Sequence, residues 1–307
     1  MIKINFVDFW PNFRKTDNYF FNLLNSKYEV VIDEVNPDLL FFSVDYYKQR
    51  ERDKYKNHAC KKIFYTGENV RPNLNFPGSI EYAHYSIGKS DFAFTFDFSN
   101  DPREYRLPLW ALFINWFDVP HNEDRDQSYL IPLQNLLNRD IAPKEKFCNF
   151  IFSNSSGERI NILKNLAQYK KVDCVGSLMN NMGYKIKGRG DQKYKVEFLE
   201  NYRFTIAAEN SSFEGYTTEK IIHPFSVGSI PIYWGSLRVG EDFNKKAFID
   251  VNDYDTIDSV VEKVKSIEEN EEEYLSYLRE PVFIDNKIPD SVLPARVLEF
   301  FEENIIC

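Results

Sequence analysis

The chain has 307 residues, of which 43% are hydrophobic and 28% are charged, as in a soluble globular protein. This length suffices for one large domain or for two of ordinary size. The net charge of −9 disfavours broad binding to nucleic acid or to anionic membranes. Because no window forms a long uncharged apolar run, we expect a cytoplasmic protein, or the soluble part of a longer one, with at most peripheral contact at the inner face of the membrane.

Short strand-like and helix-like segments alternate in the first half of the chain. This pattern predicts a mostly parallel sheet covered by helices. Residues 77–108 are aromatic-rich and less regular, so they either add strands or form a substrate-facing loop. The predicted strands are Ile2–Phe6, Glu29–Ile32, Leu39–Val44 and Lys62–Tyr65, and the predicted helices are Asp17–Leu24 and Tyr46–Cys60.

A proline-containing stretch over residues 119–146, with one short helix over Tyr129–Asn138, reads as an inter-domain connection. A second alternation follows it, and the chain ends in helices. We therefore predict an α/β protein of two Rossmann-like domains facing a cleft, with residues 1–140 and 141–307 as the domains and the last helices able to pack back on the first. The predicted segments are strands Phe147–Phe152, Val172–Val175, Phe204–Ala208 and Ser229–Tyr233, and helices Gly157–Tyr169, Tyr194–Tyr202, Thr218–Val227, Ile257–Ile267, Asn270–Glu280 and Ser291–Asn304.

The loop between strand Phe204–Ala208 and the next helix is dense in polar side chains of different kinds. Loops that lead from a strand to a helix N-terminus hold phosphorylated ligands in α/β proteins, although an ordinary solvated loop is the alternative. Arg159 and Lys220 stand near the starts of two such helices, where they could stabilise a leaving diphosphate without a metal. The alternative for Arg159 is an ordinary surface arginine. A basic stretch nearby could serve one small anionic ligand or be plain solvated surface; it comprises Lys185, Lys187, Arg189, Lys193 and Lys195.

Glu68 follows the predicted strand Lys62–Tyr65 and the glycine Gly67. A carboxylate just beyond the carboxyl end of a strand is well placed to act as a general base. The alternative is a turn in which Gly67 supplies the backbone conformation and Glu68 is solvated.

Metal and disulfide frameworks are not expected. The cysteines are far apart and the histidines are scattered, which fits reduced thiols better than disulfides or a zinc site. Two DxD-like matches, Asp124–Asp126 and Asp253–Asp255, follow no clear buried strand, and such short matches arise by chance in an acidic chain. We therefore predict no metal site at either position.

Several blocks of this sequence resemble the α1,3/α1,4-fucosyltransferases of glycosyltransferase family 10, in the bacterial type. The long block is ENSSFEGYTTEKIIHPFSVGSIPIYWG (residues 209–235), and an upstream block, KIFYTGENVRPNLN (62–75), resembles the acceptor-side motif of the family. YSIG and RLPLW extend the similarity, which runs from about Lys61 to about Asp253. The blocks occur in the family's order.

The resemblance implies a GT-B fold and an inverting transfer of L-fucose from GDP-β-L-fucose to O3 or O4 of an N-acetylglucosamine unit in a lactosamine-type glycan. It implies that Glu68 is the catalytic base and that Arg159 and Lys220 contact the donor diphosphate. Asn210, Tyr216 and Glu219 match residues that line the nucleotide and fucose pocket. No tightly bound cofactor or divalent metal is implied, and the pathway would be oligosaccharide or lipopolysaccharide biosynthesis with Lewis-type products.

Two other functions stay open at this stage. One is the same fold with another sugar nucleotide, and the other is an inactive protein that only binds a glycan or a nucleotide. The type 1 or type 2 nature of the acceptor and the oligomeric state are not determined by these residues.

Overall fold

The computed structural model describes residues 1–10, 13–44, 50–69, 89–120, 129–153, 155–186 and 192–306. Its strands are β1 Ile2–Val7, β2 Val30–Ile32, β3 Leu39–Phe42, β4 Lys61–Tyr65, β5 Phe92–Thr95, β6 Glu104–Arg106, β7 Lys146–Phe150, β8 Val172–Cys174, β9 Tyr202–Ala208, β10 Ile230–Trp234 and β11 Ile249–Asp250. Its α-helices are α1 Tyr19–Asn25, α2 Leu109–Leu112, α3 Leu133–Leu137, α4 Gly157–Tyr169, α5 Gln192–Leu199, α6 Glu219–Ser226, α7 Ile257–Glu269, α8 Glu271–Arg279 and α9 Pro294–Phe300. The predicted α/β class with mostly parallel sheets is confirmed, since both sheets are parallel.

The chain forms two compact units, one of residues 1–112 with the segment from Asp290 onward, and one of Phe113–Pro289. The predicted domain boundary at residue 140 lies inside the second unit. Long-range contacts explain the difference. The Phe113 ring packs edge-on against His223 with centroids 5.8 Å apart, and the Arg139 guanidinium donates to the Tyr277 carbonyl at 2.9 Å, so described residues near both ends of this segment contact the second unit.

The first unit contains a six-stranded parallel sheet in the order β2-β1-β3-β4-β5-β6. All four residues of the central strand β3 are apolar and buried, as expected of a parallel sheet covered on both faces. Phenylalanine rings fill the core: Phe20 and Phe94 lie 5.2 Å apart between centroids, and Phe301 stacks on Phe94 at 5.0 Å. The C-terminal segment therefore completes the core of the first unit.

The second unit contains a five-stranded parallel sheet in the order β11-β10-β9-β7-β8. All seven residues of β9, the middle strand, are buried. Helices α4 and α7 pack on each other. Thr256 is the N-cap residue of α7, and its side chain accepts a hydrogen bond from the Ser259 amide. The apolar strands and the capped helix start are local sequence signals, and for this reason most strands and helices of the second unit were predicted close to their observed bounds.

Several predicted helices differ in their bounds from the structure, among them Tyr129–Asn138, observed as Leu133–Leu137, and two other differences have a clear physical cause. Within the described part of 46–60, Glu51–Tyr55 is a 3-10 turn, because the buried Asp8 carboxylate accepts the amide of Glu51 at 2.8 Å and that of Arg52 at 3.2 Å. The predicted C-terminal helix begins only at Pro294, after a 3-10 turn over Asp290–Val292, because proline favours the first helical turn and cannot continue a helix that has already started.

Candidate nucleotide-sugar site

The second sheet reverses its strand order between β7 and β9. From β7 the chain passes to β8 on one side, and β9 then pairs with β7 on the other side. In parallel α/β sheets such a switch point opens a crevice at the carboxyl ends of the strands, where ligands bind. The segments that follow β7, β9 and β10 carry Arg159, Glu209 and Gly235, so they meet at this edge.

Glu209 directly follows β9 and is fully buried. Its carboxylate accepts the Thr218 amide at 2.7 Å and the Thr218 hydroxyl at 2.8 and 3.0 Å. The Lys220 ammonium donates to the same carboxylate at 3.0 Å. Glu209 therefore ties the end of β9 to the start of α6 and satisfies a buried charge with several donors.

Sequence reasoning named Glu209 only within a polar run and gave it no role. Its position immediately after a short, mostly apolar strand was the available signal, since a carboxylate there is expected to be buried with partners. Gly235 confirms how tightly the loop closes on it: a Cβ at this glycine would lie 2.6 Å from Glu209 Cγ and 2.5 Å from the Tyr233 hydroxyl. A side chain at position 235 would displace both groups.

Lys220 lies in the first turn of α6 with its ammonium between neighbouring acceptors. Besides Glu209 it donates to the Thr218 hydroxyl at 2.8 Å, and it lies 3.9 Å from the Glu219 carboxylate. Since the helix N-terminus also carries partial positive charge, this position suits a phosphate group. The predicted pair of Glu219 and Lys220 is thus brought together at one helix start.

Arg159 is buried near the start of α4, and its Nη1 donates to Asn210 Oδ1 at 2.9 Å. The guanidinium lies over the Phe150 ring at 5.3 Å. Burial lowers the pKa of Arg159, and the Glu209, Tyr216 and Glu219 charges act in the opposite direction. This electrostatic coupling joins Arg159 to the rest of the polar cluster.

Tyr216 is also buried, and the turn before it depends on Gly215. Gly215 has a positive φ of 79°, a conformation that favours glycine, and its amide donates to the Ser236 hydroxyl at 2.9 Å. The loop after β9 is therefore fastened to the loop after β10. All the residues predicted for the donor site lie in the second unit: Arg159, Asn210, Tyr216, Glu219 and Lys220.

Glu219 has a second cation that the predicted site did not include. Lys195 on α5 places its ammonium 3.4 Å from the Glu219 carboxylate. Burial raises the pKa of Glu219, but the charges of Lys220 and Lys195 outweigh burial and hold that pKa well below its ordinary range. Of the predicted basic stretch, Lys195 reaches this cluster, and residues 187 and 189 lie outside the described residues.

Glu68 lies in the first unit, on the turn that follows β4. Its amide donates to the Thr66 hydroxyl at 3.0 Å, and the residue is partly buried. Gly67 packs so closely on α2 that a Cβ there would lie 2.7 Å from the Cβ and Cδ1 atoms of Leu109. Contact with α2 therefore restricts the backbone of this turn. Glu68 lies at the carboxyl edge of the first sheet.

Within the described ranges given above, no three His, Cys, Asp or Glu side chains lie together in a way that could hold a metal ion. Asp253, of the second DxD-like match, forms an ion pair with Lys245. Asp124–Asp126 lies outside the described residues. The same ranges contain no helix with both the length and the apolar character needed to cross a membrane.

Comparisons with known proteins agree with this architecture. Residues 4–113 match the model of the α-(1,3)-fucosyltransferase N-terminal domain, and residues 141–280 match that of the glycosyltransferase family 10 (fucosyltransferase) C-terminal region. An α-(1,3)-fucosyltransferase of Helicobacter pylori is 30% identical over 302 residues, which are 91% of this chain and 60% of that protein. A fucosyltransferase R654 of Acanthamoeba polyphaga mimivirus, whose assignment is itself provisional, is 33% identical over 54% of this chain and 27% of its own length.

A solved structure is similar over the whole chain. The crystal structure of an α1,3-fucosyltransferase with GDP-fucose superposes with a TM-score of 0.71 at 25% identity, covering 100% of this chain and 90% of that one. The chain spans less than two thirds of the H. pylori and mimivirus proteins. With two parallel sheets and both family regions present, the chain belongs to glycosyltransferase family 10 and has the GT-B fold.

Proposed function

We propose that this protein is an inverting α1,3/α1,4-fucosyltransferase that moves L-fucose from GDP-β-L-fucose to O3 or O4 of an N-acetylglucosamine unit. The observation that carries the proposal is the buried cluster at the β7/β9 switch point, where Arg159 and Lys220 are held by Asn210 and Glu209. A cluster with two fixed cations at helix starts suits a nucleoside diphosphate. Similarity to an α1,3-fucosyltransferase solved with GDP-fucose supports the choice of donor.

In the proposed reaction, the Glu68 carboxylate takes the proton of the acceptor hydroxyl as its oxygen attacks the anomeric carbon of fucose. The bond from that carbon to the donor's phosphate oxygen breaks, and its electron pair leaves with GDP. Attack opposite to the leaving group converts the β-linked donor into an α-linked product. The products are the fucosylated glycan and GDP, with the proton first held on Glu68.

The second unit would stabilise the leaving group in this scheme. Arg159 and Lys220 offset the negative charge that grows on the diphosphate as the bond breaks, which is a role fixed cations perform without reorganisation. Tyr216, Asn210 and Glu219 would contact the nucleotide and the fucose. We propose no tightly bound metal for this step, and we propose a cytoplasmic location where surface oligosaccharides are built.

The test is a transfer assay with GDP-fucose and two acceptor types, N-acetyllactosamine and lacto-N-biose, followed by linkage analysis of the product. We expect α1,3-fucosylation of the first acceptor, α1,4-fucosylation of the second, or both. Parallel reactions with other sugar nucleotides address the donor. Transfer of a hexose without transfer of fucose would contradict the proposal, as would donor binding with every acceptor left unmodified.

A further inference from the structure

Lys195 and Glu219 form a contact that the proposed reaction does not use. Their side chains come from two helices, α5 and α6, and the ammonium lies 3.4 Å from the carboxylate. Both groups are mostly buried, with 22% and 14% of their side-chain surfaces exposed. An ion pair in this setting is screened less than a surface pair.

The charges around Lys220 explain why such a pair matters. Lys220 lies near two carboxylates, Glu209 at 3.0 Å and Glu219 at 3.9 Å. If both carboxylates were compensated by Lys220 and Arg159 alone, the cluster would have no net charge left for an anionic ligand. With Lys195 included, three cations face two carboxylates, and the net charge is +1.

A second observation concerns a small cavity in the same place. It has a volume of about 20 Å³, enough for one water molecule or one ligand atom, and its lining includes Arg159, Lys195, Lys220 and His223. His223 is fully buried, and neither of its ring nitrogens has a hydrogen-bond partner among the described residues. Buried polar atoms are normally satisfied, so this cavity is suited to a polar ligand atom or to a water that accompanies the ligand.

We propose that Lys195 is a positioning residue of the donor site, which compensates the Glu219 carboxylate and so leaves the charge of Lys220 available to the diphosphate. The proposal rests on the function proposed above, because the diphosphate is that of the donor. Lys195 acts here through Glu219 and need not touch the ligand. The competing explanation is that the pair only fastens α5 to α6.

The experiment is calorimetric titration of the intact protein with GDP and, separately, with guanosine, which lacks phosphates. We expect Lys195→Met to weaken GDP binding about tenfold, since coupling through a neighbouring charged residue has this size. Guanosine binding should stay unchanged. The matched control is Lys193→Met on the same helix, whose ammonium pairs with Glu197 at 3.9 Å, and its GDP affinity should equal that of the wild type.

A double-mutant cycle tests the route through Glu219. In a Glu219→Gln background there is no carboxylate for Lys195 to compensate, so Lys195→Met should change GDP affinity less than about twofold. Lys195→Arg keeps the charge and should restore affinity to within about threefold of the wild type. Thermal melting without ligand checks the fold; if Lys195→Met melts well below the wild type, Lys195→Gln takes its place under the same expectations.

The outcomes separate this inference from the proposed function. A wild-type protein that fails to bind GDP overturns both. A wild-type protein that binds GDP while Lys195→Met binds it equally well overturns only the role of Lys195, as does an equal loss for GDP and guanosine. A full tenfold loss that persists in the Glu219→Gln background would mean that Lys195 acts directly on the diphosphate and would overturn the positioning role.

Discussion

The two sheets use the carboxylates at their strand ends differently. At the switch point of the second sheet, Glu209 is fully buried and binds Thr218 and Lys220, so it builds the site. In the first sheet the order reverses between β1 and β3, and the carboxylate there, Asp8, holds the 3-10 turn that starts at Glu51. Glu68 follows β4, one strand beyond that switch point, and is only partly buried.

Glu209 and Glu68 therefore differ in their ability to take up a proton. A buried, multiply hydrogen-bonded carboxylate cannot take up a proton without losing its partners, which suits a structural role. A partly buried carboxylate on a fixed turn can change its protonation during a reaction. Changes at Glu68 in the first unit should therefore alter turnover and keep donor affinity, whereas changes at the cations of the second unit should alter donor affinity as well as turnover.

The largest effect is expected at Glu68. Glu68→Gln keeps the shape of the side chain but cannot take the acceptor proton, so kcat should fall by about 10²- to 10⁴-fold. The affinity for GDP-fucose, measured by calorimetry, should remain that of the wild type. Turnover close to the wild-type value would show that Glu68 is not the base. A parallel loss of donor affinity would contradict the expectation that changes at Glu68 leave donor binding unchanged.

Lys220→Met should reduce kcat/KM about 100-fold, because it removes a cation that we propose to face the diphosphate and leaves the buried Glu209 without its ammonium partner. Steady-state kinetics at varied GDP-fucose concentration will show the loss. Lys170→Met is the matched control. Lys170 follows the last residue of α4, at the opposite end of that helix from Arg159, and pairs with Glu268 at 2.6 Å. Unchanged kinetics for Lys220→Met would contradict the phosphate role.

Gly67→Ala changes the position of Glu68 through the backbone of its turn. The added Cβ would lie 2.7 Å from two atoms of Leu109, so the turn must shift and carry Glu68 with it. We expect kcat to fall about tenfold, since small displacements of a catalytic group are costly, while GDP-fucose affinity is kept. Gly157→Ala is the control, because a Cβ there meets no atom of the described residues within 4 Å. Full turnover in Gly67→Ala would show that the turn tolerates the shift.

The smallest effect concerns pH and His223. Burial, aided by the charge of Lys195, holds the pKa of His223 well below its ordinary 6.5. The unfolded chain then binds a proton that the folded protein does not, so stability is full above pH 6.5 and falls below it by about 1.4 kcal/mol per pH unit from this group. Melting at pH 7.5 and 5.5 should show a smaller drop for His223→Gln than for the wild type. An equal drop in both would assign the acid sensitivity to other groups.

Much of the fold was predictable from the sequence because its signals are local. Apolar runs such as Phe204–Ala208 marked the strands, and the helix over Gly157–Tyr169 has the predicted bounds. The turn over Glu51–Tyr55 was missed because its first amides bind Asp8, which lies 43 residues away from Glu51. Local periodicity cannot register a partner from another element.

The roles of the candidate site residues stay predictions. Family resemblance and loop position singled out Glu68, Arg159, Asn210, Tyr216, Glu219 and Lys220, and the last five lie in one unit. Lys195 appeared only as part of a basic stretch, since nothing local relates it to Glu219, 24 residues later in the chain. The Lys195–Glu219 contact arises because α5 and α6 pack together.

The strand and helix order follows from local sequence patterns, and the family follows from a long contiguous block at residues 209–235. Which charged groups form pairs is known only from the tertiary structure. The crossing of the chain from β8 back to β9 brings Arg159 to Asn210, and the packing of α5 against α6 brings Lys195 to Glu219. Such pairings depend on the path of the chain through the sheet, which spacing in sequence does not encode.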